Sequence, residues 1–346
     1  MTGPASSMQP WARIARSVLA LGAAAMLAAA PAQAAKKEKS AVEEAAMDAF
    51  WSGDFAALER QNDDIRHGHS VNPDGSSRLG DFRDGLIAVL DNDVEHVDLY
   101  LSDLDALTLR WAQDNPKSAF AHGLHVHSLI RHAWFYRGGS YARDVSPEAM
   151  NEFVKQMQKA LDYFKAHADV ELTDSYAHVQ LLTIGRALDW SNTQMSAIAD
   201  DGLKRNPDDT DIYFQVAFNL LPKWHGTPRA LDDYIKSAAE RSGPRFGLGM
   251  YARLYWSASD DGFGPRLFED SFADWNKMKQ GFEDLEARYP GSAHRLNGYA
   301  HMACLAKDKP TLLKLLDRIG DAVDTSGWGK DPERTVELCR RWAMQS

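Results

Sequence analysis

Three proline-containing phrases divide the C-terminal two thirds of the chain into helical segments: Gln113–Pro116, Lys204–Pro207 and Ala287–Pro290. Proline cannot continue an α-helix, so each phrase ends one helix and precedes the next. After each proline the sequence repeats the same order, an apolar-faced helix, a breaker and a second amphipathic helix. A helix–turn–helix unit that recurs at a nearly constant interval is typical of an α-solenoid.

The second helices begin at recognisable signals. A capping residue precedes proline at Ser146–Pro147, Thr227–Pro228 and Asp331–Pro332, and proline is favoured at the first helical position because its missing N–H would be unpaired there anyway. No stretch of strand length alternates between apolar and polar residues. The predicted fold class is therefore all-α, a tetratricopeptide-like α-solenoid of stacked helical hairpins that share a continuous apolar seam.

The N-terminal part precedes this repeat pattern. Residues 40–50 and 55–65 predict a first helical hairpin, residues 67–80 predict a loop rich in Gly, Ser, Asn and Asp, and residues 95–112 predict a long helix. We therefore divide the chain into residues 1–34 as a signal peptide, residues 35–114 as an N-terminal helical region, and residues 115–346 as the tetratricopeptide-like helical repeat domain.

The signal peptide is predicted from its three-part pattern. Arg13 and Arg16 precede an uncharged apolar run, residues 18–30, and residues 31–34 supply the small residues of a cleavage site. The run is too short to span a bilayer, which takes about 20 residues. We expect export to the periplasm or secretion, and no membrane span after signal cleavage.

Charge narrows the class of partner. The chain carries a formal charge of −10, which falls to about −12 once the signal is removed. A chain this acidic, without a basic stripe, should repel nucleic acid. We expect a protein or peptide partner, whose identity the sequence leaves open, and no nucleic acid.

A group of histidines stands out next: His122, His125, His127 and His132. Helical spacing brings three of them to one side, and imidazoles can bind zinc or haem. However, His122 and His132 would lie about 15 Å apart along the axis, and no accompanying metal or haem motif is present. We interpret them as packed or surface histidines and predict no metal, no cofactor and no catalytic residues. The neighbouring carboxylates Asp232 and Asp233 are predicted to face solvent.

Aromatic and arginine side chains near the helix ends are the better candidates for binding. They comprise Trp134, Arg137, Trp224, His225, Tyr251, Arg253 and Trp256. Equivalent positions of successive solenoid repeats lie on one side of the array, so these residues could line one ligand groove, with arginine binding a carboxylate and tryptophan covering an apolar side chain. The alternative is that the tryptophans wedge the hairpins together.

Three motifs carry a more specific resemblance: Ala133–Gly138, Leu220–Gly226 and Tyr251–Trp256, in that order. They resemble a bacterial domain-of-unknown-function family of tetratricopeptide-like helical proteins, which carries A-W-x-x-R-G and L-P-R-W-G-G-S motifs. The resemblance extends over roughly residues 115–345. It implies the helical-repeat fold and implies no activity.

The two cysteines, Cys304 and Cys339, fall on predicted helices near the C-terminus. In an exported protein they could form a disulfide, and they could equally be two buried free thiols. For the whole protein we predict an exported helical-repeat scaffold that binds a protein or peptide partner without catalysis. The alternatives are a periplasmic enzyme with a histidine–carboxylate site near Trp134 and Trp224, or a protein that binds a small ligand or a metal.

Overall fold

The computed structural model describes residues 39–68, 70–90, 96–140, 142–224 and 226–345. These residues form helices and turns and contain no β-strand; one isolated antiparallel bridge joins Val71 and Ser77. The predicted all-α class is therefore confirmed. Within the described residues, every helix is too short or too polar to form a transmembrane span. The predicted signal peptide lies outside them.

The contacts between residues divide the chain into two compact units. Unit 1 comprises Lys39–Ser70 and Arg78–Gly202, and unit 2 comprises Val71–Ser77 and Leu203–Ser346. The sequence-based boundary at residue 115 does not coincide with a break in packing, because the helices on its two sides pack against each other within unit 1.

The helices of unit 1 in chain order are α1 (Ala41–Ser52), α2 (Phe55–Arg66), α3 (Arg78–Leu90), α4 (Val97–Asp114), α5 (Ala119–Arg137), α6 (Pro147–Ala166), α7 (Ala168–Glu171), α8 (Ser175–Ala187) and α9 (Asn192–Arg205), whose last turn passes the unit boundary. The main packing contacts join α1 with α3, α4 with α5, and α5 with α6. Helix α5 is thus the centre of unit 1, and most of its side chains are buried.

The helices of unit 2 are α10 (Thr210–Asn219), α11 (Pro228–Phe246), α12 (Gly249–Ala258), α13 (Leu267–Asp270), α14 (Trp275–Arg288), α15 (Ala293–Leu305), α16 (Lys309–Ile319) and α17 (Pro332–Met344). Helix α12 packs against α11 and α14, and α15 packs against α16. The capping prediction holds at two helices, since Ser146 accepts from Ala149 N and Thr227 accepts from Ala230 N.

One helix was not predicted. The sequence favoured a loop up to Gly80, but α3 begins at Arg78. Its apolar side chains Leu79, Phe82, Leu86 and Val89 recur at helical spacing and are all buried. Their pattern was obscured by the two glycines and the charged residues between them.

A short turn completes unit 2. Residues 71–77 form a tight turn in which Gly75 N donates to Asn72 O, and Gly75 has a positive φ of 83° that favours glycine. A Cβ at Gly75 would lie 2.8 Å from the Tyr289 ring. The turn is therefore packed tightly against the other part of unit 2, which begins more than 120 residues later in the chain.

Candidate functional site

A cleft of about 500 Å³ opens between α14, α15 and α16 of unit 2. Helix α14 contributes Lys279, Glu283 and Glu286 to one wall, and helix α16 contributes Thr311, Lys314 and Arg318 to the other. Both sets recur at three- and four-residue spacing, so each presents one face of its helix. The volume falls within the range of ligand sites in proteins.

An ion pair closes one end of the cleft. Lys279 Nζ lies 3.1 Å from Asp308 Oδ2 and donates to Thr311 Oγ1 at 2.6 Å. Burial opposes ionisation of Asp308, but hydrogen bonds from Thr311, Trp275 and Lys279 outweigh it and hold the pKa of this carboxyl below its ordinary value. Asp308 is therefore a charged carboxylate, held in place at one end of the cleft. It also caps α16 by accepting from Thr311 N.

A second ion pair closes the other end. Arg318 Nη2 lies 2.7 Å from Glu286 Oε1, and Arg295 Nη2 lies 3.4 Å from Glu286 Oε2. Lys279 and Glu286 are seven residues apart, as are Thr311 and Arg318. The two pairs are therefore separated by about 10 Å along the helices.

The middle of the cleft differs from its ends because its charged residues are not joined in an ion pair within the described residues. Lys314 makes no hydrogen bond or ion pair within the described part of the chain, and Glu283 has no cationic partner there, although it accepts a 3.3 Å hydrogen bond from the Tyr299 hydroxyl. Burial and the Glu283 charge raise the pKa of Tyr299, so the phenol stays protonated. The rings of Phe282 and Tyr299 stack with centroids 4.7 Å apart and form the apolar floor.

Two arginine side chains near the cleft donate hydrogen bonds to backbone carbonyls of unit 2. Arg295, which lines the cleft, donates to Asp74 O and Tyr289 O, and Arg253 donates to Gly75 O. Burial, together with the charge of Arg295, lowers the pKa of Arg253 to about 10. Arg253 stays protonated at neutral pH, and both guanidinium groups are fixed by backbone carbonyls of unit 2.

The predicted groove residues of α12 lie next to this cleft or in the core behind it. Trp256 packs against Phe282 at a ring distance of 6.1 Å and against His294 at 4.8 Å, so it supports the floor from behind. Arg253 donates a hydrogen bond to Gly75 O in the turn of residues 71–77. Tyr251, in contrast, is 1% exposed and accepts from Asp274 N, so it is a core residue and does not line an open groove.

The other predicted groove residues are placed as follows. In unit 1, Arg137 lies over the Trp134 ring at 5.1 Å, and Trp134 packs edge-to-face on Phe153. In unit 2, Trp224 follows α10 and packs on Phe218. His225 lies outside the described residues.

The histidines of α5 are buried, and carboxylates or hydroxyl groups pair with them. His132 Nδ1 donates to Asp105 Oδ2 at 2.7 Å, while Ser128 Oγ donates to Asp105 Oδ1 at 2.5 Å. Burial lowers the pKa of His132, but hydrogen bonds to Asp105 and Asp98 outweigh it and raise the pKa above its ordinary value. The carboxylate lies between serine and histidine, so the histidine does not contact the hydroxyl it would have to activate as a catalytic base.

Burial lowers the pKa of two further histidines of α5, His122 and His125. His125 Nδ1 is 2.9 Å from Thr108 Oγ1, and burial lowers the pKa of His125 to about 4. His122 Nδ1 is 2.8 Å from the Tyr163 hydroxyl, and its ring stacks on His167 at 4.3 Å. Among the described residues, no three histidine, cysteine, aspartate or glutamate side chains are grouped so that they could hold a metal ion.

One carboxyl group in unit 1 is buried without a hydrogen-bond partner within the described residues. Glu171 is fully buried, and neither of its side-chain oxygens has a hydrogen-bond partner within the described residues. Burial raises its pKa to about 8. Glu171 is therefore a protonated, neutral acid at pH 7.

Unit 2 contains a buried carboxylate that was expected to be solvated. Asp232 is 1% exposed and accepts hydrogen bonds from Tyr255 at 2.8 Å and Lys236 at 2.7 Å. The prediction for Asp232 was wrong because it faces α12 from α11 and finds the Tyr255 hydroxyl there.

The cysteine pair is also settled by its geometry. Cys304 of α15 and Cys339 of α17 form a disulfide with a Cα–Cα distance of 5.8 Å. Of the two alternatives that the sequence left open, the structure has the bridge, which attaches the last helix to the floor helix of the cleft.

Comparison with protein-family models, with curated proteins and with solved structures finds no match to this chain. The resemblance to a tetratricopeptide-like family therefore stays a prediction. The candidate site is therefore defined by the cleft geometry alone.

Sequence reasoning missed the cleft residues Lys279, Glu283, Lys314 and Arg318. Charged residues on amphipathic helices are usually solvated, and single charges give no motif. One signal was present: polar residues recur at i, i+3 or i+4, and i+7 on the two helices that flank α15, three of them charged on α14 and two of them charged on α16. That pattern could have placed two charged faces opposite each other.

Proposed function

We propose that this protein is an exported, tetratricopeptide-like helical scaffold that binds a peptide segment of a partner protein in the cleft between α14, α15 and α16. The observation that carries the proposal is the cleft itself. A stacked aromatic floor lies between two charged walls, and the ion pairs at its ends fix its shape before any ligand arrives. A preformed site of this kind loses little ordering entropy on binding.

The tetratricopeptide-like assignment is supported by the position of the cleft in the sequence. Its floor helix α15 and its wall helix α16 follow the third proline phrase, where Tyr289–Ala293, Ala300 and Lys307–Asp308 match the repeat pattern. Hairpins of repeat proteins form grooves with neighbouring hairpins, and such grooves commonly bind partners. Export is supported by the signal pattern and is compatible with the disulfide.

A blocking variant tests the proposal. Ala287 lines the cleft and is exposed, so Ala287→Trp should fill the cleft without disturbing the core. Gln280→Trp on the same helix α14 is the matched control, because Gln280 is exposed and lies outside the lining. Binding would be measured on a synthetic array of random hexapeptides probed with the purified protein, with far-UV circular dichroism to verify folding.

We expect wild type and Gln280→Trp to retain the same peptides and Ala287→Trp to lose them by about tenfold or more in affinity. Retention of the same peptides by all three proteins would overturn the cleft as the binding site. Failure of the wild type to retain any peptide at millimolar concentration would overturn the peptide-binding function.

A further inference from the structure

We infer that the middle of the cleft recognises a neighbouring acidic and basic residue in the partner segment, the acid at Lys314 and the base at Glu283. This inference rests on the proposed function and defines the class of peptide. It follows from which charges in the cleft are already paired and which are left for a ligand.

The charged groups at the two ends of the cleft are already paired with each other. Lys279 is held by Asp308 and Thr311, and Arg318 is held by Glu286. A ligand that used these groups would first have to break an existing ion pair, which offsets what the new contact contributes. Recognition by charge is therefore left to the residues between the two ends.

Lys314 and Glu283 are those residues. Each lies at the middle position of its wall, three or four residues from both ends, and the two helices run in the same direction because both end pairs join matching turns. Lys314 has no partner within the described residues, and Glu283 contacts only the Tyr299 hydroxyl among the partners found there. One positive and one negative group thus stand on opposite walls.

The geometry of an extended chain predicts which peptide sequence fits this arrangement of charges. Successive side chains of an extended chain point to opposite sides, so an acidic residue and its basic neighbour reach opposite walls. The distance of about 10 Å between the end pairs accommodates three extended residues at about 3.3 Å each. An apolar or aromatic third residue completes the segment, because the stacked rings of Phe282 and Tyr299 form the floor on which the chain lies.

Capped tripeptides test the inference by isothermal titration calorimetry. The probes are acetyl-Glu-Lys-Phe-amide, acetyl-Lys-Glu-Phe-amide and the uncharged acetyl-Gln-Gln-Phe-amide. Capping removes the terminal charges, so only the side chains can supply the charge pair. The proteins are wild type, Lys314→Glu, Glu283→Lys and the double variant that carries both reversals. These side chains are exposed, so the variants should fold.

We expect at least one charged tripeptide to bind wild type about five- to tenfold more tightly than the uncharged one. Each single reversal should remove that preference, because two like charges then face the ligand from both walls, and the double reversal should restore it. Raising the salt from 50 to 500 mM should weaken binding of the charged tripeptide and leave the uncharged one nearly unchanged.

Equal affinity for charged and uncharged tripeptides, or failure of the double reversal to restore the preference, would overturn the inference. The hexapeptides selected on the array separate this outcome from failure of the proposed function. If Ala287→Trp blocks those hexapeptides while Lys314→Glu and Glu283→Lys do not weaken them, the cleft binds peptides and the charge-pair inference alone is wrong. If Ala287→Trp has no effect either, the proposed function is wrong as well.

Discussion

The interior of unit 1 and the cleft of unit 2 use charged and polar side chains in opposite ways. In unit 1, Asp105 is buried and binds Ser128 and His132, so its interactions are made inside the unit. In unit 2, Lys314 and Glu283 are exposed on facing walls and are not paired with each other. The conspicuous histidines of the sequence therefore belong to a structural interior, and the open site is built from ordinary surface residues.

Buried and exposed charges are therefore expected to affect different properties of the protein. A buried carboxylate that satisfies two donors contributes to folding, because its loss leaves both donors unpaired. An exposed charge contributes little to stability, so its presence on a cleft wall is available for recognition. Substitutions in the two regions test this division.

Replacing Asp105 should have the largest effect. Asp105→Ala leaves Ser128 and the His132 ring without their buried acceptor, and we expect a loss of about 3–5 kcal/mol in the free energy of unfolding. Chemical denaturation followed by circular dichroism measures it. The matched control is Asp103→Ala, an exposed position of the same helix α4, which should change stability by less than about 0.5 kcal/mol. Equal effects of the two substitutions would contradict the structural role of the histidine network.

Removing the disulfide tests the same contrast in unit 2, whose last helix is attached covalently. The bridge closes a loop with a sequence separation of 35 residues. Replacing Cys304 and Cys339 together by alanine should lower the free energy of unfolding by about 2–4 kcal/mol, because the unfolded chain regains the entropy of the open loop. Dithiothreitol should destabilise the wild type and have no further effect on the double variant. A wild type insensitive to the reductant would contradict the prediction.

Glu171 gives a smaller, pH-dependent effect. Its pKa is about 8 in the folded protein and near its ordinary value of 4.5 when unfolded. Between these values the folded protein holds a proton that the unfolded chain has lost. The stabilisation is therefore complete below pH 4.5 and is lost as the pH rises through 8, with a limiting slope of about 1.4 kcal/mol per pH unit.

We expect Glu171→Gln to remove this contribution to the pH dependence. The stability of the wild type relative to Glu171→Gln should fall by about 2.5 kcal/mol between pH 5 and pH 7, as measured by urea unfolding at each pH. Asp169→Asn, at an exposed position of the same short helix, serves as the control and should run parallel to the wild type. A constant difference between wild type and Glu171→Gln would mean that Glu171 is ionised in the folded protein.

The helices could be predicted because their signals are local. Proline phrases, capping residues and apolar spacing act within a few residues of each other, so the first residues of α6 and α11 follow from Ser146–Pro147 and Thr227–Pro228. Helix α3 was missed because its glycines and charged residues resemble a loop, although Leu79 and Phe82 face the core. Its Gly85 allows close approach to Glu43 O of α1, a contact that local sequence does not contain.

The site could not be predicted because it depends on which helices become neighbours. Lys314 and Glu283 are 31 residues apart, and nothing in either helix alone indicates that they share a cleft. The aromatic prediction came nearest at Trp256, which packs against the floor residue Phe282. Tyr251 was assigned to a groove although it is a core residue, because an aromatic side chain in a sequence does not reveal which side of its helix is covered.

The turn of residues 71–77 has a consequence for how the C-terminal half acquires its final form. Arg253 and Arg295 bind carbonyls that lie 178 and 221 residues earlier in the chain. Contacts at such separations form late, since the closure of a long loop must precede them. We expect a recombinant fragment that begins at Leu203 to leave both guanidinium groups without these carbonyls, and to regain its native hydrogen-exchange protection around Tyr289 when a synthetic peptide of residues 70–78 is added.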